Sequence, residues 1–286
     1  MRKLPTMALG ICALLICAAA TTAAWAQSAQ PWVKSSYAKV RLIPGGAETE
    51  AGKQIIRAGV QLQLDDGWKT YWRNPGDSGL PANFDFKGSK NLKNAKVLWP
   101  APHRFTDPYG TSIGYKKEVV FPVLVSPERA DRAVDLDLKL DYAICKDICV
   151  PAEARLNLKL EPGTANSTAF DPIISHYLGK VPSQASAQGS KLPSIREARG
   201  ELDRDAPQIV VDADFPDGIA GADLFVEGPG NIYIPPPQSK DVGENGAVRF
   251  TIDLGEAADG SALKGKTLNL TLVSDHGQSE TPWTVD

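Results

Sequence analysis

Residues 134–145 read Val134-Asp135-Leu136-Asp137-Leu138-Lys139-Leu140-Asp141-Tyr142-Ala143-Ile144-Cys145. Val134, Leu136, Leu138, Leu140, Tyr142 and Ile144 alternate with Asp135, Asp137, Lys139 and Asp141. A strand sends successive side chains to opposite faces, so one face of this segment belongs on a core and the other in water. That is the pattern of an antiparallel strand whose sheet is covered on one side only. The next stretch repeats it, with Ala154, Leu156, Leu158 and Leu160 set against Arg155, Asn157 and Lys159. The short Lys146-Asp147-Ile148 connection between them predicts a hairpin whose mouth is flanked by Cys145 and Cys149. Facing positions there lie about 5.5 Å apart at Cα, within reach of a disulfide.

The same rule holds on the N-terminal side. Val40 and Leu42 alternate with Lys39 and Arg41. Ile56, Ala58, Val60, Leu62 and Leu64 oppose Arg57, Gln61 and Gln63, and Val119, Phe121, Val123 and Val125 follow. About eight such runs, punctuated by Gly, Pro, Asn and Asp, predict an all-β, immunoglobulin-like sandwich over residues 30–162. Near residue 161 the alternation stops at Glu161-Pro162-Gly163. Asp171-Pro172 reads as an N-cap followed by Pro at the first helical position, with Ile173/Tyr177 and Ile174/Leu178 as i,i+4 pairs of a short helix. Residues 181–190 have linker composition, so 163–192 is expected to be helix and linker. Strand patterns resume at Gln208–Asp212, Ala222–Glu227, Val248–Leu254, Leu268–Val273 and Trp283–Val285, which predicts a second, smaller β-sandwich-like domain over 193–286. This second part has no Cys and no cluster of potential ligands, and Pro235-Pro236-Pro237 reads as a rigid turn.

Residues 1–26 read as a secretory signal peptide. Arg2 and Lys3 form the positive end, and Ala24-Trp25-Ala26 supplies the small residues of a cleavage site. The apolar run Met7–Ala20 falls short of the roughly 20 residues of a membrane span. Ile16 before Cys17 does not suit lipoprotein processing. The expectation is an exported chain beginning near Gln27, with no membrane span in its mature part. Over the 286 residues, 42% hydrophobic and 23% charged content with a net charge of −3 is ordinary globular composition. No block of Lys or Arg offers a phosphate-binding surface, so nucleic acid is not an expected partner.

Once Cys12 and Cys17 are assigned to the signal segment, Cys145 and Cys149 have only each other as intramolecular partners in an oxidising compartment. Two uses stay open from the residues alone. A bond closing so short a loop stabilises by only about 2 kcal/mol, a weak staple. A small disulfide at an exposed tip is also open to attack by a thiolate, which suits exchange. Zinc is the weakest reading, because His103, His176 and His276 are scattered, and no metal or other cofactor is expected.

Several segments follow one another in a recognisable order. These are Asp66-Gly67-Trp68-Lys69-Thr70-Tyr71, Val97-Leu98-Trp99-Pro100, Pro108-Tyr109-Gly110, Phe121-Pro122-Val123 and Cys145…Cys149-Val150-Pro151-Ala152-Glu153. Together they resemble the periplasmic N-terminal domain of the thiol:disulfide interchange proteins, the DsbD/ScsB family. The run from Gly67 to Pro81 is similar to the ScsB-like branch. The resemblance implies an immunoglobulin-like fold in which Cys145 and Cys149 are the redox pair. It implies a cap in Phe105–Gly110, with Phe105, Asp107, Pro108 and Tyr109 as shielding residues, and Trp68 and Tyr71 as aromatics lining the site. It also implies electron transport from a membrane donor, here expected on a separate polypeptide, to a periplasmic thioredoxin-fold partner. That activity would be of the thiol:disulfide oxidoreductase type. Two departures stand out. The cysteines are closer together than in the best-known members, and Pro108 replaces the aromatic that precedes the cap tyrosine. The alternative from another class is a non-catalytic two-domain binding or assembly protein with a structural disulfide.

Overall fold

The computed structural model describes residues 29–107, 110–162, 168–184, 191–203, 205–230, 232–243, 247–255 and 260–286. The expected signal segment, Pro108 and Tyr109 of the expected cap, and residues 185–190 of the expected linker lie outside the described residues.

The first sandwich uses β1 (Val33–Lys34), β2 (Ala38–Glu50), β3 (Lys53–Leu64), β4 (Lys69–Gly76), β5 (Asn83–Asp85), β6 (Leu92–Val97), β7 (His103–Asp107), β8 (Gly110–Lys116), β9 (Glu118–Pro127), β10 (Val134–Cys145) and β11 (Cys149–Leu160). A five-stranded sheet in the order β1-β2-β3-β9-β6 faces a six-stranded sheet in the order β11-β10-β4-β8-β7, with β5 added on β10. Alternation decides what lies between the sheets. Val134, Leu136, Leu138, Leu140, Tyr142 and Ile144 from β10 are buried against Val40, Leu42, Ile56, Ala58, Val60, Phe121 and Val123 from the facing sheet. β10 and β11 pair from Val134↔Leu160 to Cys145↔Cys149 without a register shift, so the hairpin stays in phase from the core to its mouth. An edge-to-face cluster of Phe84, Trp99, Tyr115 and Phe121 closes one side of the core.

The short helix α1 spans Asp171–Leu178, as the pattern predicts, but its cap differs. Phe170 occupies the N-cap position without a side-chain hydrogen bond, and Asp171 is already helical. The Asp171 carboxylate accepts from the Gly46 backbone N–H at 2.9 Å and pairs with Arg57 at 3.4 Å. It is drawn away from its own helix to tie that helix to the first sandwich, where Ile174 packs on Ile43 and Val120.

The second sandwich uses β12 (Ser183–Gln184), β13 (Ser194–Glu201), β14 (Gln208–Asp214), β15 (Asp223–Glu227), β16 (Ser239–Val242), β17 (Val248–Asp253), β18 (Thr267–Ser274) and β19 (Gly277–Thr284), with the short α2 (Gly260–Leu263) before β18. Its sheets run β12-β19-β18-β15 and β13-β14-β17-β16 and enclose Ile209, Val211, Leu224, Val226, Phe250, Leu268 and Leu270. The two sandwiches are joined by a specific seam. Phe225 leaves its own core to join that of the first sandwich, 5.8 Å from the Trp72 ring. Beside it, Arg73 binds Glu227 and Glu280, Asn74 donates to the Val226 carbonyl at 2.8 Å, and Arg104 grips Asp223 with two N–H groups at 2.7 and 2.9 Å.

Candidate functional site

The period-two rule that buries one face of β10 turns Ala143 and Cys145 to the other. Register then gathers that outer face from distant parts of the chain. Cys145 pairs with Cys149 on one side and with Lys69 on the other, while Tyr71 pairs with Gly114 and Phe105 with Ser112. Lys69 and Tyr71 on β4 therefore stand on the same side of the sheet as the cysteines.

Cys145 and Cys149 form a disulfide with Cα atoms 4.2 Å apart. This is nearer the close, non-hydrogen-bonded spacing of antiparallel pairs, about 4.5 Å, than the wider spacing expected from sequence. The two sulfurs live in different surroundings. Cys145 is only 1% exposed and packs with Tyr71 and Ala143, whereas Cys149 is exposed at the start of β11. The Tyr71 hydroxyl lies 3.3 Å from Cys149 Sγ.

Tyr71 is held from several sides. It is 1% exposed, and Gly79 approaches its ring so closely that a Cβ there would lie 2.2 Å from Cε1. Gly79 also has φ +122°, a backbone conformation that side chains rarely adopt. Burial pushes the Tyr71 phenol above its ordinary value, and the negative charge of Asp107 pushes the same way. Tyr71 therefore keeps its proton across the physiological range and can donate it in a hydrogen bond. Asp107, at the end of β7, reaches this region through Lys69, whose ammonium lies 2.9 Å from Asp107 Oδ2 and donates to Ser112 Oγ at 2.8 Å. Lys69 is itself 8% exposed, so the pair sits at the edge of solvent rather than in it.

The residues singled out from sequence are thus distributed unevenly. Cys145, Cys149 and Tyr71 are in direct contact, and Asp107 acts on Tyr71 through space. Phe105 is half-buried on β7, under the Lys116 ammonium at 4.3 Å from its ring centre. Trp68 packs with the main core and stacks on Tyr37, with ring centres 3.9 Å apart. Sequence reasoning assigned no role to Lys69, Ser112 or Gly79. Lys69 and Tyr71 are separated by one residue, so a shared face was readable. That it is the cysteine face depends on the pairing of β4 with β10, which no local pattern encodes.

The arrangement leaves one cysteine of the disulfide exposed and the other buried, with the Tyr71 phenol beside the exposed one. Among the described residues no group of His, Cys, Asp and Glu could hold a metal ion. Nor is any described helix long and apolar enough to cross a membrane.

Residues 40–161 match the family model of the thiol:disulfide interchange protein DsbD, N-terminal. Among solved structures, the N-terminal periplasmic domain of ScsB from Proteus mirabilis aligns with a TM-score of 0.70 at 23% identity, over 91% of this chain and 98% of that one. At that identity the likeness is one of fold, and it extends through both sandwiches. No curated protein matches.

Proposed function

We propose, from the match of residues 40–161 to the N-terminal family model of the thiol:disulfide interchange protein DsbD, that the chain is a periplasmic thiol:disulfide interchange module. It passes electrons from a membrane reductase to thioredoxin-fold partners through Cys145 and Cys149. The observation that carries this reading is the asymmetry of the pair: Cys149 is exposed beside the Tyr71 hydroxyl, and Cys145 is buried.

The steps follow from that asymmetry. A donor thiolate attacks Cys149 Sγ, the bond to Cys145 breaks, and Cys145 leaves as the thiolate. A second donor thiol then releases the first as a disulfide and leaves both cysteines reduced, having taken up two electrons and two protons. In the forward direction the Cys149 thiolate attacks a partner disulfide and forms a mixed disulfide. Cys145 resolves it, re-forming the intramolecular bond and freeing the partner as a dithiol. Tyr71 donates to the Cys149 thiolate and so favours it. A bond closing so short a loop contributes only about 2 kcal/mol, so the fold tolerates its repeated opening.

The test is Cys145→Ala in the exported protein. Without the resolving thiol, Cys149 should accumulate as a mixed disulfide with a thioredoxin-fold protein, while the fold persists. The reduction potential of the wild-type pair should lie above about −300 mV, where working disulfides are found. A lower potential, no trapped partner and a lowered melting temperature would make the bond a staple, and the chain a binding or assembly protein.

A further inference from the structure

The second sandwich makes a contact whose position is more informative than its strength. The Tyr233 hydroxyl donates to Asp77 Oδ1. The other oxygen of Asp77 accepts from the Thr111 N–H at 2.7 Å, and the Asp77 N–H donates to the Thr111 carbonyl at 2.9 Å. Gly110 sits so close that a Cβ there would lie 3.0 Å from Asp77 Oδ2. One side chain of the first sandwich is thus gripped on one side by the start of β8 and on the other by the second sandwich.

Both neighbours of Asp77 lead to the cysteines. Along the chain, two residues on, is Gly79, the backbone that bears on the Tyr71 ring. Across the hydrogen bonds, β8 pairs Gly110 with Asp107, which holds Lys69 and whose charge raises the Tyr71 phenol pKa. Tyr71 ends 3.3 Å from Cys149 Sγ. From this chain of contacts we infer that Asp77 and Tyr233 are positioning residues, through which the second sandwich holds Tyr71 against Cys149. Their role deepens the redox reading above, and assigns to the second sandwich a part in tuning Cys149.

The other inter-sandwich contacts supply the control. The Arg73–Glu227 pair lies along the same seam but touches neither Asp77 nor Gly79. Loosening the seam there should change docking without releasing Tyr71.

The test measures alkylation of Cys149 by iodoacetamide against pH in a Cys145→Ala background of the full chain, with Cys149 identified by peptide mass. The charged and titratable groups on the face that carries that sulfur are Tyr71 and Lys69 on β4, Asp107 on β7 and Lys116 on β8, with Lys146 and Asp147 in the connecting turn and Asp141, Lys139 and Glu153 further along the hairpin. None of them is altered by Tyr233→Phe. Tyr71→Phe should slow the reaction at neutral pH by about fivefold and move its pH midpoint upward, because the thiolate loses a donor. Tyr233→Phe should slow it by about twofold, moving the midpoint the same way. In the Tyr71→Phe background it should have no further effect, as expected if it acts through Tyr71. Glu227→Gln should leave the profile where it was.

An unchanged profile in Tyr233→Phe overturns the inference. So does a slowing that persists in the Tyr71→Phe background, or one that Glu227→Gln reproduces, since either means general loosening of the seam. The assay needs no partner and no functional disulfide. A chain that fails to exchange with glutathione but keeps this coupling would refute the redox reading alone.

Discussion

The two faces of the six-stranded sheet are built from the same strands by opposite rules. The inner face is redundant: Val134, Leu136, Leu138, Leu140 and Ile144 are each buried, and each is apolar for the same reason. The outer face is singular. Lys69, Tyr71, Asp107, Ser112, Cys145 and Cys149 come from β4, β7, β8, β10 and β11, and each makes a contact that no other residue duplicates. A core of that kind stabilises through area excluded from water, to which many side chains contribute interchangeably. A reactive site depends on distances of a few tenths of an ångström between particular atoms. Stability and chemistry should therefore separate under mutation according to the face that is touched.

The largest expected effect tests that separation from the inside. Leu138 is fully buried and pairs with Leu156 across the hairpin. Leu138→Ala should lower the stability by about 2–5 kcal/mol, through lost transfer energy and the cavity left behind. A reduced urea midpoint with an unchanged m-value would report it. The alkylation rate of Cys149 in the folded variant should stay near that of the parent. A rate that changes in proportion to stability would mean that the two faces are not independent.

How much of this was legible follows the same division. Alternation alone located β10, β11, β3 and β9 and named the inner face correctly, because a strand's periodicity is local. The hairpin mouth was readable too, since Cys145 and Cys149 are neighbours in sequence as well as in space. Tyr71 was found through family resemblance rather than through physics, for its contact with Cys149 spans 78 positions. Lys69 was invisible as a partner of Asp107 because that ion pair needs β4, β8 and β7 already in register. The cap of α1 failed for a related reason. Asp171 has the composition of an N-cap, but Gly46 and Arg57, far away in the chain, compete successfully for its carboxylate. Phe225 likewise reads as one more strand residue of the second sandwich, and only the docking of the two bodies sends it into the first core.

A middle-sized effect sharpens the comparison from the outside. Gly79→Ala adds one methyl group at a place where Tyr71 leaves no room and the backbone has positive φ. The loop must shift or Tyr71 must move, at a cost of about 1–3 kcal/mol. Unlike Leu138→Ala, this change should alter Cys149 more than its loss of stability suggests, because the displaced ring carries the hydroxyl. Slower alkylation of Cys149, together with a raised pH midpoint, is the expected result. A loss of stability with the midpoint unmoved would show that Gly79 serves only the loop.

The smallest effect on stability is expected where the electrostatic reach of the outer face is greatest. Asp107 is partly exposed, and an asparagine in its place would still accept from the Lys69 ammonium, which also keeps Ser112, so Asp107→Asn should cost no more than about 1 kcal/mol and barely move the melting temperature. Its influence on Tyr71 is another matter. Burial is the main cause of the raised phenol pKa, and the Asp107 charge is the second. Removing that charge should bring the Tyr71 titration down toward the ordinary value of 10.0 without reaching it. The sign of the linkage follows. A phenol whose folded pKa is raised is stabilising below the unfolded pKa, near 10, and that contribution is lost as pH rises through the folded value. Asp107→Asn should therefore lessen the part of the alkaline loss that Tyr71 causes, while leaving neutral-pH stability almost untouched. The ultraviolet difference spectrum of tyrosinate formation, compared between Asp107→Asn and the double variant with Tyr71→Phe, isolates the one phenol concerned. If its titration does not move, the charge of Asp107 is screened from Tyr71, and the outer face is a set of separate contacts rather than a coupled site.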